Sequence, residues 1–213
     1  MTPGRRPRGL LLDAMGTLIG LREPVGRTYA AAAARHGITV DADAVDRAFR
    51  ASYRQAPPLA FPGLKGEQLV LAERRWWGDR IGDSLLGAGA DAAPEAMVQE
   101  LFDHYADPGL WHVFDDVPPQ LERWYRRGLA LAVVSNFDSR LPGLLEGLGL
   151  ARWLQVVVVS SAAGVAKPDP GPFQLALEGL GLVASQAWHV GDSPEDVQGA
   201  AAAGLRCLLV RRP

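Results

Sequence analysis

At 213 residues, with 22 Lys and Arg against 24 Asp and Glu, the chain suits one ordinary domain or one core carrying a smaller insertion. Its formal net charge of −2 lacks the basic excess of a general nucleic-acid binder, and no apolar run reaches membrane-spanning length. A single cysteine, Cys207, excludes an internal disulfide and fits a reducing, cytoplasmic setting.

Arg5, Arg6 and Arg8 precede Leu10–Leu12, but Asp13 ends that apolar stretch too soon for a signal core, so the arginines read as a solvated leader. Residues 8–13 read as a short buried strand ending in an acid. Gly16 and Gly20 mark a turn-rich passage to about residue 22. From Glu23 to Asp107 the pattern is helical. It holds an alanine-rich stretch after Tyr29, a segment 41–55 with Val45, Ala48, Phe49 and Ser52 on one face, a segment 67–86, and a segment 94–106. A helix 118–127 stopped by Gly128 then leads into a strand at 129–135. The remainder alternates: helix 141–148, strand 155–161, helix 172–180, strand 187–192, helix 194–204, strand 206–210.

Strands alternating with helices predict an α/β fold, a Rossmann-like parallel sheet with helices on both faces. The helical stretch would be an inserted bundle, giving a core of 1–22 and 108–213 and a cap of 23–107. Ligands of such sheets bind outside the carboxyl ends of the strands. The polar residues expected there are Asp13, Ser135, Asn136, Lys167, Asp192 and Asp196. Each alone has a plainer reading as a turn, cap or helix-start residue. Together they would crowd one crevice with charge, which is costly unless a ligand or metal joins them. Carboxylates 13 and 192 make a hard, oxygen-rich site suited to Mg²⁺. A carboxylate beside a metal and a lysine stays ionised and can form a covalent ester by attack on phosphorus or carbon. The Ser135 hydroxyl and backbone N–H groups could hold phosphoryl oxygens.

Four segments carry a family resemblance: DAMGTL (13–18), SN (135–136), KPDP (167–170) and GDSPED (191–196). In this order they resemble the four signatures of the haloacid dehalogenase superfamily, and the helical insertion resembles the cap of its subfamily I. EPVGRTY (23–29), SNFD (135–138) and AAGVAKPDP (162–170) are similar to one branch of that subfamily. The resemblance implies a hydrolase in which Asp13 is the nucleophile, Asp192 a Mg²⁺ ligand and Asp196 a further ligand or a partner behind the ligands. It implies that Thr17, Ser135 and Asn136 bind the transferring group and that Lys167 holds it against Asp13. Met15 would give the metal its backbone carbonyl.

Met15 is also the departure. Phosphatases of the family carry there an aspartate that protonates the leaving group, and a thioether cannot. General acid–base catalysis contributes roughly 10²–10⁴-fold, so alkyl phosphates would be poor substrates. The 2-haloacid dehalogenases lack that acid as well, but they need no magnesium, whereas GDSPED resembles a metal-binding signature. The expectation is a Mg²⁺-dependent phosphohydrolase of restricted activity on a small-molecule substrate. The alternatives are a dehalogenase, with Arg22 or Arg27 holding halide, and a non-catalytic binder of a phosphate ligand or partner. Neither nucleic acid nor membrane is an expected partner, and the chain would be a monomer or homodimer. Tyr53, Phe61, Lys65, Trp76 and Trp77 are candidates for substrate choice, with Trp76 expected in the cap core. Trp111, Trp124, Trp153 and Trp188 read as core or interface aromatics. His36, His104 and His112 have no metal-ligand spacing, and His189, inside a strand, reads as a packing residue.

Overall fold

The computed structural model describes residues 6–212, so Arg5 lies outside the described residues. In chain order the strands are β1 (Gly9–Leu12), β2 (Ile19–Leu21), β3 (Trp111–Val113), β4 (Ala130–Ser135), β5 (Val156–Val159), β6 (Ala187–Gly191) and β7 (Arg206–Leu209). The helices are α1 (Val25–Arg35), α2 (Ala42–Gln55), α3 (Gly66–Gly87), α4 (Glu95–His104), α5 (Val117–Arg126), α6 (Leu141–Gly147), α7 (Ser160–Ala163), α8 (Gly171–Leu180) and α9 (Pro194–Ala202). Among the described residues no helix is long and apolar enough to cross a membrane.

Contacts divide the chain into two compact units. Of the described residues, one comprises 6–20, 59–64 and 111–212, and the other 21–58 and 65–110. The first is built on a five-stranded sheet of order β5-β4-β1-β6-β7, every pair parallel. β1 is central and buried along its whole length, as the leucine run requires of a strand covered on both sides. On one side Leu11 packs with Phe173, Ala176 and Leu177 of α8 and Ala200 of α9. On the other, Leu12 and Val190 face Val117 and Leu121 of α5 across a cavity of about 70 Å³. Phe173 is fully buried, and truncating such a ring to alanine costs about 3–5 kcal/mol. Register places Leu12 opposite both Val133 and Val190. Asp13, the first residue beyond β1, therefore emerges beside Gly191, one residue before Asp192.

Two local results differ from the pattern reading. β5 stops at Val159, and Ser160 and Ser161 begin the one-turn α7, which Gly164 ends in a left-handed conformation (φ 73°). The strands β2 and β3 pair in a two-stranded ribbon. Each is three residues long, too short to show a period.

In the helical unit the alanine stretch supplies small contacts. Tyr29, Ala32 and Ala33 of α1 pack with Val45, Ile81, Leu85, Met97 and Leu101. A Cβ on Gly26 would fall 2.0 Å from the Ala42 carbonyl oxygen, so α1 and α2 meet where only glycine fits. Asp41 caps α2 by accepting from the Ala44 amide at 2.8 Å. Trp76 is buried, as expected, and its indole N–H donates to the Pro57 carbonyl at 2.9 Å. Tyr53 and Trp77 continue this aromatic cluster. Phe61 does not belong to it. Leu59–Leu64 groups with the sheet, where Ser160 Oγ donates to the Leu59 carbonyl at 2.6 Å and the Phe61 amide to the Ser161 carbonyl at 3.1 Å. Lys65 opens α3 in the helical unit.

Candidate active site

Four strand ends of the sheet unit contribute the site. Asp13 follows β1 and is held by its amide, which donates to the Val190 carbonyl at 2.8 Å. The chain then turns sharply: the amides of Thr17, Leu18 and Ile19 all donate to the Ala14 carbonyl. Gly16 occupies this turn at φ 79°, and a Cβ there would lie 2.4 Å from Asp192 Oδ2. Glycine is required both by the backbone angle and by the approach of that carboxylate. Thr17, buried in the same turn, donates from Oγ1 to Asp192 Oδ1 at 3.3 Å.

Lys167 is the hub. Its ammonium, nearly buried, donates to Asp13 Oδ1 at 2.6 Å and to Asp196 Oδ1 at 2.6 Å. Asn136 fixes the lysine's backbone reciprocally. Its Oδ1 accepts from the Lys167 amide at 2.8 Å and its Nδ2 donates to the Lys167 carbonyl at 2.9 Å. The side chain expected to touch substrate is thus committed to the loop that carries the lysine. Ser135 ends β4 with its side chain buried.

Asp196 sits in the first turn of α9 and is wholly buried. Its Oδ1 accepts from Lys167 and meets His189 Nε2 at 2.8 Å. Its Oδ2 accepts from the amides of Asp192 and Ser193 and, at 2.8 Å, from the Ser193 hydroxyl. Ser193 and Asp196 form a reciprocal capping box, the local reason that GDSPED turns from strand into helix. Gly191 is needed beside it, since a Cβ there would fall 2.3 Å from Asp196 Cγ. Both oxygens of Asp196 therefore carry donors already, whereas Asp192 is exposed.

The electrostatics follow from this packing. Burial pushes the Asp13 carboxyl above its ordinary range; Lys167 pulls the other way, and the charges of Asp196 and Asp192 add to the rise. Asp192, exposed as a residue, has its carboxyl partly shielded against the Gly16 turn, and this partial burial, then the charge of Asp196, raises it as well. Asp196 goes in the opposite direction. Against its burial, the hydrogen bond with His189 and the charge of Lys167 hold it well below the usual carboxylate range. For Lys167 burial favours the neutral amine, but Asp13 and Asp196 outweigh it and the ammonium is held more firmly than usual. Among the described residues Asp13, Asp192 and Asp196 form an acidic cluster, each offering an oxygen within 4.8 Å of the others. Three carboxylates against one ammonium leave a surplus of negative charge.

Met15 is 41% exposed at this turn, and a thioether has no proton to give. Of the arginines considered for halide, Arg22 donates through Nε to the Gly109 carbonyl at 3.1 Å within the helical unit, and Arg27 is exposed on α1. His189 is completely buried and packs against Phe173, in keeping with a packing residue, and its ring nitrogen in addition meets the central carboxylate. The available signal was one polar residue in an apolar strand, seven positions before an acid. Arg212 gave no signal at all. Its guanidinium lies 4.2 Å from the Phe114 ring centroid, pairs with Asp116, and donates at 2.6 Å to the Thr17 carbonyl behind the Asp13 turn.

A parallel α/β sheet with this set of strand-end residues defines a hydrolase of the haloacid dehalogenase type. The chain belongs to the haloacid dehalogenase-like hydrolases, whose family model matches residues 7–204. It is 41% identical over 206 residues to haloacid dehalogenase-like hydrolase domain-containing protein 3 of Mus musculus, covering 95% of this chain and 81% of that protein. A phosphoglycolate phosphatase of Rhodospirillum rubrum is 39% identical over 123 residues, 56% of this chain and 51% of that protein. Among solved structures, a phosphatase of the family from Thermococcus onnurineus superposes with TM-score 0.67 at 23% identity, covering 96% of this chain and 86% of its own. The L-2-haloacid dehalogenase of Xanthobacter autotrophicus superposes with TM-score 0.69 at 21% identity, covering 96% and 77%. One fold thus serves both chemistries, and the choice between them rests on the site.

Proposed function

We propose that this hydrolase is a phosphohydrolase acting through an aspartyl-phosphate on small phosphorylated metabolites, with activity restricted by Met15. The carrying observation is the charge surplus at the strand ends, where Asp192 stands exposed beside Asp13 while both oxygens of Asp196 are engaged. Two hard carboxylates, Asp13 and Asp192, with a third behind them and one lysine that offsets only part of the charge, fit a divalent cation. Asp13, Asp192 and the Met15 carbonyl would hold Mg²⁺, and Asp196 would hold Lys167 rather than the ion. Bound there, Mg²⁺ would offset the negative charge of Asp13 and of the phosphoryl oxygens. The helical unit is proposed to serve as the cap.

Asp13 attacks phosphorus with one carboxylate oxygen, forming an acyl phosphate as the bond to the leaving oxygen breaks. Lys167, held by Asp13 and Asp196, stabilises the transferring phosphoryl oxygens. The Ser135 side chain supplies a further donor, and the Thr17 hydroxyl does so on turning from Asp192. Water then attacks phosphorus, and inorganic phosphate leaves with Asp13 restored. No side chain at position 15 protonates the leaving oxygen or takes the proton of that water. Aryl and acyl phosphates, whose leaving groups depart as stable anions, are the favoured substrates. A missing acid also suits a 2-haloacid dehalogenase, but that reaction gives Asp192 no role.

The test is hydrolysis of p-nitrophenyl phosphate with and without Mg²⁺ by wild type, Asp13→Asn and Met15→Asp. Wild type should turn over slowly and only with Mg²⁺, and Asp13→Asn should lose more than about 10³-fold. Met15→Asp should gain toward alkyl phosphates, by up to about 10²–10⁴-fold. Turnover of 2-chloropropionate without Mg²⁺, and none of the aryl phosphate, would replace this reading with dehalogenation.

A further inference from the structure

We propose that His189 is a positioning residue, which orients Asp196 toward Lys167 and the 192–193 backbone and so leaves Asp192 as the acid free for ligand. This rests on the phosphohydrolase reading of the site. His189 lies in the middle of β6, directly beside Leu11 of β1, and is completely buried. One ring nitrogen, Nε2, lies 2.8 Å from Asp196 Oδ1, the same oxygen that accepts from Lys167. The other, Nδ1, is buried without a hydrogen-bond partner. The Phe173 ring stands edge-on to the imidazole at 4.9 Å and 89°.

These facts select one form of the ring. A doubly protonated imidazole would bury an N–H at Nδ1 with no acceptor, and the Nδ1–H tautomer would turn a lone pair toward a carboxylate. The neutral Nε2–H tautomer donates to Asp196 and leaves only a bare lone pair at Nδ1, the smaller penalty. Donors then surround Asp196 completely: His189 and Lys167 on Oδ1, two amides and the Ser193 hydroxyl on Oδ2. A carboxylate so filled has no lone pair left for a cation. Without the imidazole donor Oδ1 would be free to swing off the lysine, and the two acids of GDSPED would compete for one role.

The test uses the reach of the donor. A glutamine amide nitrogen mimics Nε2, whereas asparagine mimics Nδ1 and leucine offers no donor. In Mg²⁺-dependent hydrolysis of p-nitrophenyl phosphate, His189→Leu and His189→Asn should lose about 10–100-fold in kcat, and His189→Gln should recover most of it. Separately from turnover, ¹⁵N NMR should find wild-type His189 as the neutral Nε2–H tautomer. The hydrogen-bonded Lys167 Nζ resonance should be lost in the Leu variant and restored in the Gln variant. A cationic or Nδ1–H ring, a Gln variant as impaired as Leu, or a Leu variant as active as wild type would overturn the proposal. If wild type shows no phosphatase activity, the phosphohydrolase reading fails alone, because the tautomer and the lysine resonance still report on positioning.

Discussion

The two units arrange their charges differently. In the helical unit two ion pairs are peripheral, Arg35 with Glu100 and Arg74 with Asp103, whose side chains are left about a third to well over half exposed, and a third joins the buried Arg80 to the exposed Asp83. In the sheet unit Lys167 joins Asp13 and Asp196 with side-chain exposures of 3%, 7% and 0%. Exposed pairs contribute little, because water screens them and long side chains lose freedom in making them. Buried pairs cost desolvation that their attraction only partly returns. A chain seeking stability alone would fill the strand ends with apolar side chains. The helical unit buries charge too, at Glu73 and Arg80 of α3, but the strand ends bring two buried acids and a third beside them onto one buried lysine, which marks them as the place where stability gives way to chemistry.

The sharpest way to break this contrast is Lys167→Met. It leaves two buried acids facing each other and should cost about 3–5 kcal/mol in denaturant unfolding, beyond ending turnover. The sign of its pH dependence is fixed by Asp13. A carboxyl raised above its unfolded value weakens the fold at neutral pH and returns that stability as pH falls through the folded value. The deficit of Lys167→Met should therefore narrow on acidification. Asp196 acts oppositely in wild type: its contribution is complete above its unfolded value, about 4, and fades as pH falls further. A smaller effect is expected from Mg²⁺ itself. At roughly ten times its Kd it should stabilise wild type by about 1.4 kcal/mol. Asp192→Asn should abolish that rise in Tm while being no less stable than wild type without metal, since its carboxyl too is raised. At the far end of the scale, Arg35→Ala should leave Tm unchanged within measurement. A clear loss there would mean that the helical unit relies on its surface charge after all.

Much of the site was legible because parallel topology puts strand ends together and because strand ends are read locally. Asp13, Lys167 and Asp192 each end or follow an apolar run, and the register of β1 against β4 and β6 does the rest. What escaped was long-range or too short. His189 and Asp196 are seven residues apart, but the meaning of the pair lies in Lys167, which only tertiary structure adds. Asn136 sits in a motif that suggests substrate contact, yet its amide is spent on backbone 31 residues away. Ser160 and Ser161 continue the valine run in sequence, but β5 ends where their carbonyl and hydroxyl meet Leu59 and Phe61. The ribbon β2–β3 pairs segments some 90 residues apart through strands with no detectable alternation.

Leu59–Leu64 bears on how such proteins can be recombined. A helical insertion bounded at two points could be exchanged between relatives by cutting once before and once after it. Here the chain returns midway to lodge Leu59 and Phe61 on Ser160 and Ser161. Pro62 presses so near Gly164 that a Cβ there would fall 2.7 Å from its Cα. An exchange made only at the outer boundaries would import a foreign segment onto a seat shaped for this one. Such chimaeras should tolerate swaps that move Leu59–Leu64 together with Ser160–Gly164, and resist those that separate them.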